Sequence, residues 1–107
     1  GVNVYIAEAI RKAVRAAGFN TPIMTAGKIP TPDLAESILT EDKADLIGVC
    51  RQIIRDPDWA NKAKEGKSKE IKKCIYCNTC LETAFTGEGG YCKLDKKEKE
   101  KEAKKAQ

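Results

Sequence analysis

Two short apolar runs, Pro22–Thr25 and Ala44–Cys50, are each followed by a segment patterned for a helix, and this repeat constrains the chain more than any other feature. Strands joined through a helix pair in parallel, and parallel strands are apolar on both faces because other layers cover both. Two such strands cannot supply that cover themselves. A complete eight-stranded βα barrel needs about 250 residues. A chain of 107 residues provides about a quarter of one. The expected fold is therefore α/β, two consecutive βα units whose remaining strands come from another chain or region. The alternative is a small self-sufficient α/β unit stapled by a metal, which would melt cooperatively as a monomer.

Local signals place the elements. Asn3 is the expected cap of an amphipathic helix over residues 3–17, with Tyr5, Ile6, Ala9, Ile10, Ala13, Val14 and Ala17 on its apolar stripe and Gly18 just past its end. The first strand stops at the small-residue turn Ala26–Gly27. Thr31, Pro32 and Asp33 supply a cap, a proline at the first helical position and a first-turn acid. They open a second helix that ends near Glu41 and carries Leu34, Ala35, Ile38 and Leu39 on one face. Cys50 closes the second buried strand, where a thiol is ordinarily inert packing, and Arg51–Arg55 form a short helical turn. Asp56 and Pro57 repeat the cap-plus-proline signal for a helix over 57–65 ended by Gly66.

The sequence contains 20 Lys and Arg, 16 Asp and Glu, and no His. Without imidazole, Ser-His and Cys-His catalytic pairs, His-ligated zinc and a histidine general base are excluded. Chemistry must run through cysteine, charged groups or a bound cofactor. Seven of the lysines and four of the acids lie in residues 93–107, a Lys/Glu-rich tail whose Glu98/Glu102 and Lys97/Lys101 spacings suit an exposed helix. Residues 1–92 are nearly neutral, which argues against a nucleic-acid face. No apolar stretch is long enough to span a membrane, and no signal-peptide progression opens the sequence. A cytoplasmic protein without membrane or nucleic-acid partners is expected.

Four of the five cysteines, Cys74, Cys77, Cys80 and Cys92, form a C-x2-C-x2-C-x11-C pattern. Zinc sites usually draw ligands from two separated pairs. A [4Fe-4S] cluster has four iron corners, so three thiolates at two-residue intervals wrap three of them and a distant fourth closes the site. The spacing favours iron-sulfur over zinc, and the cytosolic character disfavours disulfides. A bound cluster would also order the loop containing Gly87, Gly89 and Gly90. Lys72 and Lys73 directly precede the first ligand, where they either offset cluster charge or remain solvated. Upstream, Ala26-Gly27-Lys28 after the first strand and Cys50-Arg51 at the start of the short helix have the parts of a phosphate site. Glycine permits close backbone approach, and helix-start amides with an arginine suit a phosphate.

The stretches NVYIAEAIRKAV, PIMTAGKI, TPDLAESIL, KADLIGVCRQIIRDPDWANKAKEG and CIYCNTCL together carry a family resemblance. From Gly1 to about Glu82 the sequence resembles the C-terminal end of the FMN barrel in the old yellow enzyme, or NADH:flavin oxidoreductase, family. The similar branch is its iron-sulfur one, with 2,4-dienoyl-CoA reductase, 2-enoate reductase and trimethylamine dehydrogenase. The resemblance implies the last two βα units of a TIM (β/α)8 barrel over residues 1–72, a [4Fe-4S] segment over 73–92 and a charged tail over 93–107. It implies that Ala26, Gly27, Lys28, Cys50 and Arg51 hold the FMN phosphate, and that Cys74, Cys77, Cys80 and Cys92 hold a cluster exchanging single electrons with the flavin.

Two departures stand out. Cys50-Arg51 replaces the usual Gly-Arg, so a side chain adds bulk where backbone would approach phosphate. The triplet of cysteines follows the x2 spacing similar to trimethylamine dehydrogenase rather than the x3 form of dienoyl-CoA reductase. The family commonly continues into an FAD- and nicotinamide-binding portion. Lys93–Gln107 cannot bind a dinucleotide, so FAD and NAD(P)H are expected on a partner or another region. Residues that would act on substrate at the flavin ring are likewise expected elsewhere in the barrel. The resemblance thus implies a segment or subunit of an FMN- and [4Fe-4S]-containing oxidoreductase, of ene-reductase or amine-dehydrogenase type. The alternatives are a non-catalytic electron-transfer or assembly subunit docking on a barrel partner, and a zinc-stapled binding module.

Overall fold

A computed structural model describes residues 1–107. Its elements are α1 (Val4–Ala16), β1 (Met24–Ala26), α2 (Pro32–Thr40), β2 (Leu46–Gly48), α3 (Arg51–Arg55), α4 (Trp59–Lys64), α5 (Thr79–Phe85) and α6 (Lys93–Lys105), with one 3-10 turn at Ser68–Glu70. The strands pair in parallel with Met24 opposite Leu46, Thr25 opposite Ile47 and Ala26 opposite Gly48. The connection between them is α2, which makes a βαβ unit as the helix-strand alternation predicts.

The helix ends follow from a few residues. Thr31 caps α2, its hydroxyl accepting from the Leu34 amide at 3.3 Å, with Pro32 in the first turn. At the far end of α1, Gly18 takes φ +84°. The Gly18 and Phe19 amides reach back to the Arg15 and Val14 carbonyls, closing the last turn. Asp42, with φ 56°, plays the same part after α2, and Gly66 after α4.

One local expectation is refined and two are corrected. Asn3 holds the N-cap position of α1 as expected, but its side chain bonds no first-turn amide; it donates to the Ala26 carbonyl at 2.9 Å and ties the start of α1 to the turn after β1. The helix predicted from Pro57 begins at Trp59; the Asp56 carboxylate accepts from the Asp58 amide ahead of it, and also from Lys62 and the Lys72 amide. Cys50 is exposed just beyond β2 rather than buried in it.

The core is a single layer between helices and strands. Ala7, Ile29, Ala35, Ile38, Ala44, Trp59 and Ile71 are buried there, with Val4, Ile23, Leu34, Ile47 and Val49 packed against them. Trp59 is anchored through its indole N–H, which donates to the Pro30 carbonyl at 2.9 Å. The opposite strand face is open: Met24 is 59% and Leu46 48% exposed. The apolar stripe of α1 also faces outward, with Tyr5, Ile6 and Ile10 exposed. Asp45 is the physical reason for that orientation. It accepts from Arg11, Arg15 and the Ile23 amide at 2.9–3.1 Å, turning the cationic side of α1 toward the sheet. That backbone bond, with the two arginines, holds the Asp45 carboxyl below the usual carboxylate range. No helix is long and apolar enough to cross a membrane.

Candidate functional site

Parallel βα folds carry ligands at the carboxyl ends of their strands. Here that end is a cleft of about 300 Å³ lined by Ala26–Ile29 after β1, Gly48–Gln52 after β2, and Tyr76 from the cysteine segment. All five residues expected to hold a phosphate, Ala26, Gly27, Lys28, Cys50 and Arg51, lie on its wall. The strand register explains part of the opening. Ala26 sits beside Gly48, where a Cβ would lie 3.1 Å from that of Ala26, so the floor stays low. After β1 the chain turns through Gly27 at φ +115° and Lys28 at φ 50°. The φ of Gly27 is what calls for glycine, and an added Cβ would also come within 2.7 Å of the Asn3 side-chain nitrogen and displace it from the Ala26 carbonyl.

The charge of this cleft has one sign. Lys28 and Arg51 line it and no acidic residue does. Both cations lie over the Tyr76 ring, Arg51 at 4.9 Å and Lys28 at 5.7 Å from its centroid. Arg51 also donates to the Asn78 side-chain oxygen at 2.7 Å. Lys28 and Arg51 have no carboxylate partner, so an anion entering the cleft meets both positive charges unneutralised.

The cysteine segment is brought alongside by Gln52, which is 2% exposed. Its side chain pairs with main chain on both sides of Lys73: the Cys74 amide donates to Oε1 at 2.8 Å, and Nε2 donates to the Lys72 carbonyl at 2.6 Å. Asp56 holds the Lys72 amide from the other side. Burial opposes ionisation of Asp56, but the bonds from Lys62, Lys72 and Asp58 outweigh it and hold its carboxyl below the ordinary value. Entry to the cysteine loop is thus fixed by two buried polar side chains.

Within the loop, Tyr76 and Asn78 take φ 55° and 64°. Alternating left-handed residues of this kind turn backbone N–H groups toward one concave side, the arrangement known from anion and iron-sulfur nests. The Tyr76 amide donates to Cys74 Sγ at 3.2 Å. The Cys77 sulfur lies 3.3 Å from the Thr79 hydroxyl, and this contact lowers the Cys77 thiol from its ordinary value. Thr83 returns the glycine-rich turn to α5: the Tyr91 amide meets its hydroxyl at 3.4 Å, which brings Cys92 back toward the triplet.

Cys74, Cys77, Cys80 and Cys92 all border one small cleft, together with Ile54, Ile75 and Leu94 and the cations Arg51, Arg55 and Lys93. All are free thiols. Their side chains are not drawn together into a group poised to hold one metal ion. Four soft donors, an apolar wall and two cations without carboxylate partners, Arg51 and Lys93, fit an anionic thiolate cluster in chemistry. Gln52, Tyr76, Asn78 and Thr83 were not singled out from sequence. A glutamine in Arg-Gln-Ile-Ile and a variable residue between cysteines carry no motif; only the fold gives them partners.

The sequence profile of the NADH:flavin oxidoreductase / NADH oxidase family matches residues 4–70. An NADH oxidase of Thermoanaerobacter brockii is 49% identical over 78 residues, covering 73% of this chain and 11% of that protein. A metal reductase of Desulforamulus reducens is 43% identical over 86 residues, covering 79% of this chain and 12% of that protein. The solved structure of 6-hydroxypseudooxynicotine amine oxidase from Pseudomonas geniculata N1 superposes with a TM-score of 0.73 at 27% identity, covering 85% of this chain and 13% of that one. The chain therefore spans only about an eighth of the length of these proteins, and its two βα units are a piece of a TIM barrel. The cation-lined cleft at the strand ends lies within the matched residues, apart from Tyr76, and the chain belongs to the NADH:flavin oxidoreductase / NADH oxidase family.

Proposed function

We propose that this chain supplies the FMN phosphate site and the [4Fe-4S] ligands of an oxidoreductase of ene-reductase or amine-dehydrogenase type. The observation that carries the reading is the pair of adjoining clefts. Each is lined by cations without carboxylate partners, Lys28 and Arg51 in one and Arg51 and Lys93 in the other, so that Arg51 borders both. Lys28 and Arg51 would neutralise the phosphate of FMN while Gly27 and Gly48 keep side-chain bulk away from it. Cys74, Cys77, Cys80 and Cys92 would each hold one iron. When bound, the cluster supplies one-electron transfer and the flavin accepts electrons singly or in pairs. The residues of this chain bind and position the two groups; they do no chemistry on the substrate.

The remaining strands, and an FAD- and nicotinamide-binding portion, belong to a partner or another region of a cytoplasmic assembly. Support comes from the uncovered Met24/Leu46 face, which a complete barrel would fill with side chains. The same face favours a second reading, a non-catalytic electron-transfer subunit docking on a partner barrel. A stoichiometric larger partner on co-purification, with all turnover residues on it, would favour this alternative.

Metal and sulfide analysis of the anaerobically purified native assembly, with its visible spectrum and flavin content, tests the main reading. The expected result is about four iron and four sulfide per copy of this chain, with bound FMN. Cys77→Ser should lower the iron content. One zinc per colourless chain and no flavin would overturn the reading.

A further inference from the structure

The Tyr76 hydroxyl is unexplained by the packing around it. Its oxygen is buried and has no hydrogen-bond partner. A buried hydroxyl without a partner is disfavoured, and such groups in native proteins usually mark a ligand or water. Tyr76 is also a bulky residue held at φ 55°, a conformation that side chains of its size rarely adopt. Its ring closes the strand-end cleft from the cysteine side, beneath Lys28 and Arg51. The fold therefore gives a side chain that lines a cation-lined cleft a buried hydroxyl with no partner in the protein.

We infer that Tyr76 is a third phosphate-recognising side chain, its hydroxyl donating to the terminal phosphate of FMN that Lys28 and Arg51 neutralise. This rests on the proposed FMN site and adds a residue from outside the barrel units to it. Tyr76 lies between Cys74 and Cys77, so the loop that carries the thiols also closes on the flavin phosphate. A nucleotide with a terminal phosphate is the ligand class favoured; riboflavin ends in a neutral hydroxyl and offers the donor no anionic acceptor.

The test uses the complete native assembly, freed of flavin, titrated with FMN and separately with riboflavin by quenching of flavin fluorescence. Tyr76→Phe keeps the ring beneath both cations and removes only the donor. The expected result is an increase of about tenfold in the FMN dissociation constant, no change for riboflavin, and unchanged iron content. Arg51→Ala is the reference for the site itself and should weaken FMN selectively. If Arg51→Ala is selective and Tyr76→Phe leaves FMN binding unchanged, the inference falls while the phosphate site stands. Equal weakening of FMN and riboflavin in Tyr76→Phe would assign the side chain to packing and overturn the inference. If the unaltered protein binds FMN no better than riboflavin, and Arg51→Ala alters neither, the phosphate site and the inference fall together.

Discussion

Gln52 is the residue on which the juxtaposition of the two clefts depends. It is nearly inaccessible to solvent, and its one amide satisfies a backbone donor and a backbone acceptor of the segment entering the cysteine loop. Gln52→Ala leaves the Cys74 amide and the Lys72 carbonyl without those partners, at about 1–3 kcal/mol for each group that stays buried. The expected outcome is a lower melting temperature together with loss of iron, read by thermal denaturation and metal analysis of the same sample. Gln52→Glu should be no milder than Gln52→Ala, since an ionised carboxylate would be buried against the Lys72 carbonyl with no cation to pair with. Unchanged melting and iron content in Gln52→Ala would dismiss the role. The sequence marked the residue's neighbour, Arg51, because an arginine after a strand has a recognisable use. An internal glutamine has none until the chain 20 residues downstream is seen to pass over it.

At the scale of elements, the punctuation of the sequence is more legible than its faces. Thr31-Pro32-Asp33, Gly18 and Gly66 set helix ends where local chemistry predicts, because caps depend on residues a few positions apart. The stripe of α1 lies where the periodicity puts it, but Ile6 and Ile10 are exposed in this chain, because Asp45, 34 positions after Arg11, holds the opposite side. Long-range ion pairs decide the C-terminal helix as well. The i,i+4 pattern of α6 reads as a solvated helix, yet Arg55, almost buried in α3, pairs with Asp95 and with Glu98 at 2.8 Å, and Lys72 reaches Glu98 at 3.2 Å. Hydrogen bonds from Arg55 and Lys72 pull the Glu98 carboxyl down to about 2. A depressed carboxyl stabilises the fold above its unfolded value and loses that contribution as pH falls through the folded one. Attachment of α6 should therefore persist at neutral pH and weaken from about pH 4.5 toward 2. A carboxyl carbon NMR titration of Glu98 checks this: the midpoint is expected near 2, returning toward the ordinary glutamate value in Arg55→Gln. An ordinary midpoint in the unaltered protein would detach α6 from Arg55.

The whole molecule is a slab of 63 × 35 × 17 Å with a radius of gyration of 17.1 Å. A compact domain of this length would have about 13 Å. The thickness is that of one helix layer on one strand layer, and only 12 of 107 residues are buried. The uncovered side of the architecture is the inner side of the strands, where Met24, Ala26, Leu46 and Gly48 present small and apolar groups. In a closed barrel those positions face packed side chains from alternate strands. A charge placed there would be buried without a partner, which is strongly unfavourable. Leu46→Glu and Met24→Glu should thus abolish association with the remaining strands, whereas Thr40→Glu, on the exposed side of α2, should leave it intact to within about 0.5 kcal/mol. Co-expression with the rest of the barrel, followed by size exclusion and flavin analysis, distinguishes the two. A Leu46→Glu variant that assembles, retains FMN and melts normally would mean that this strand face stays open to solvent in the working protein, and the barrel would have to close elsewhere.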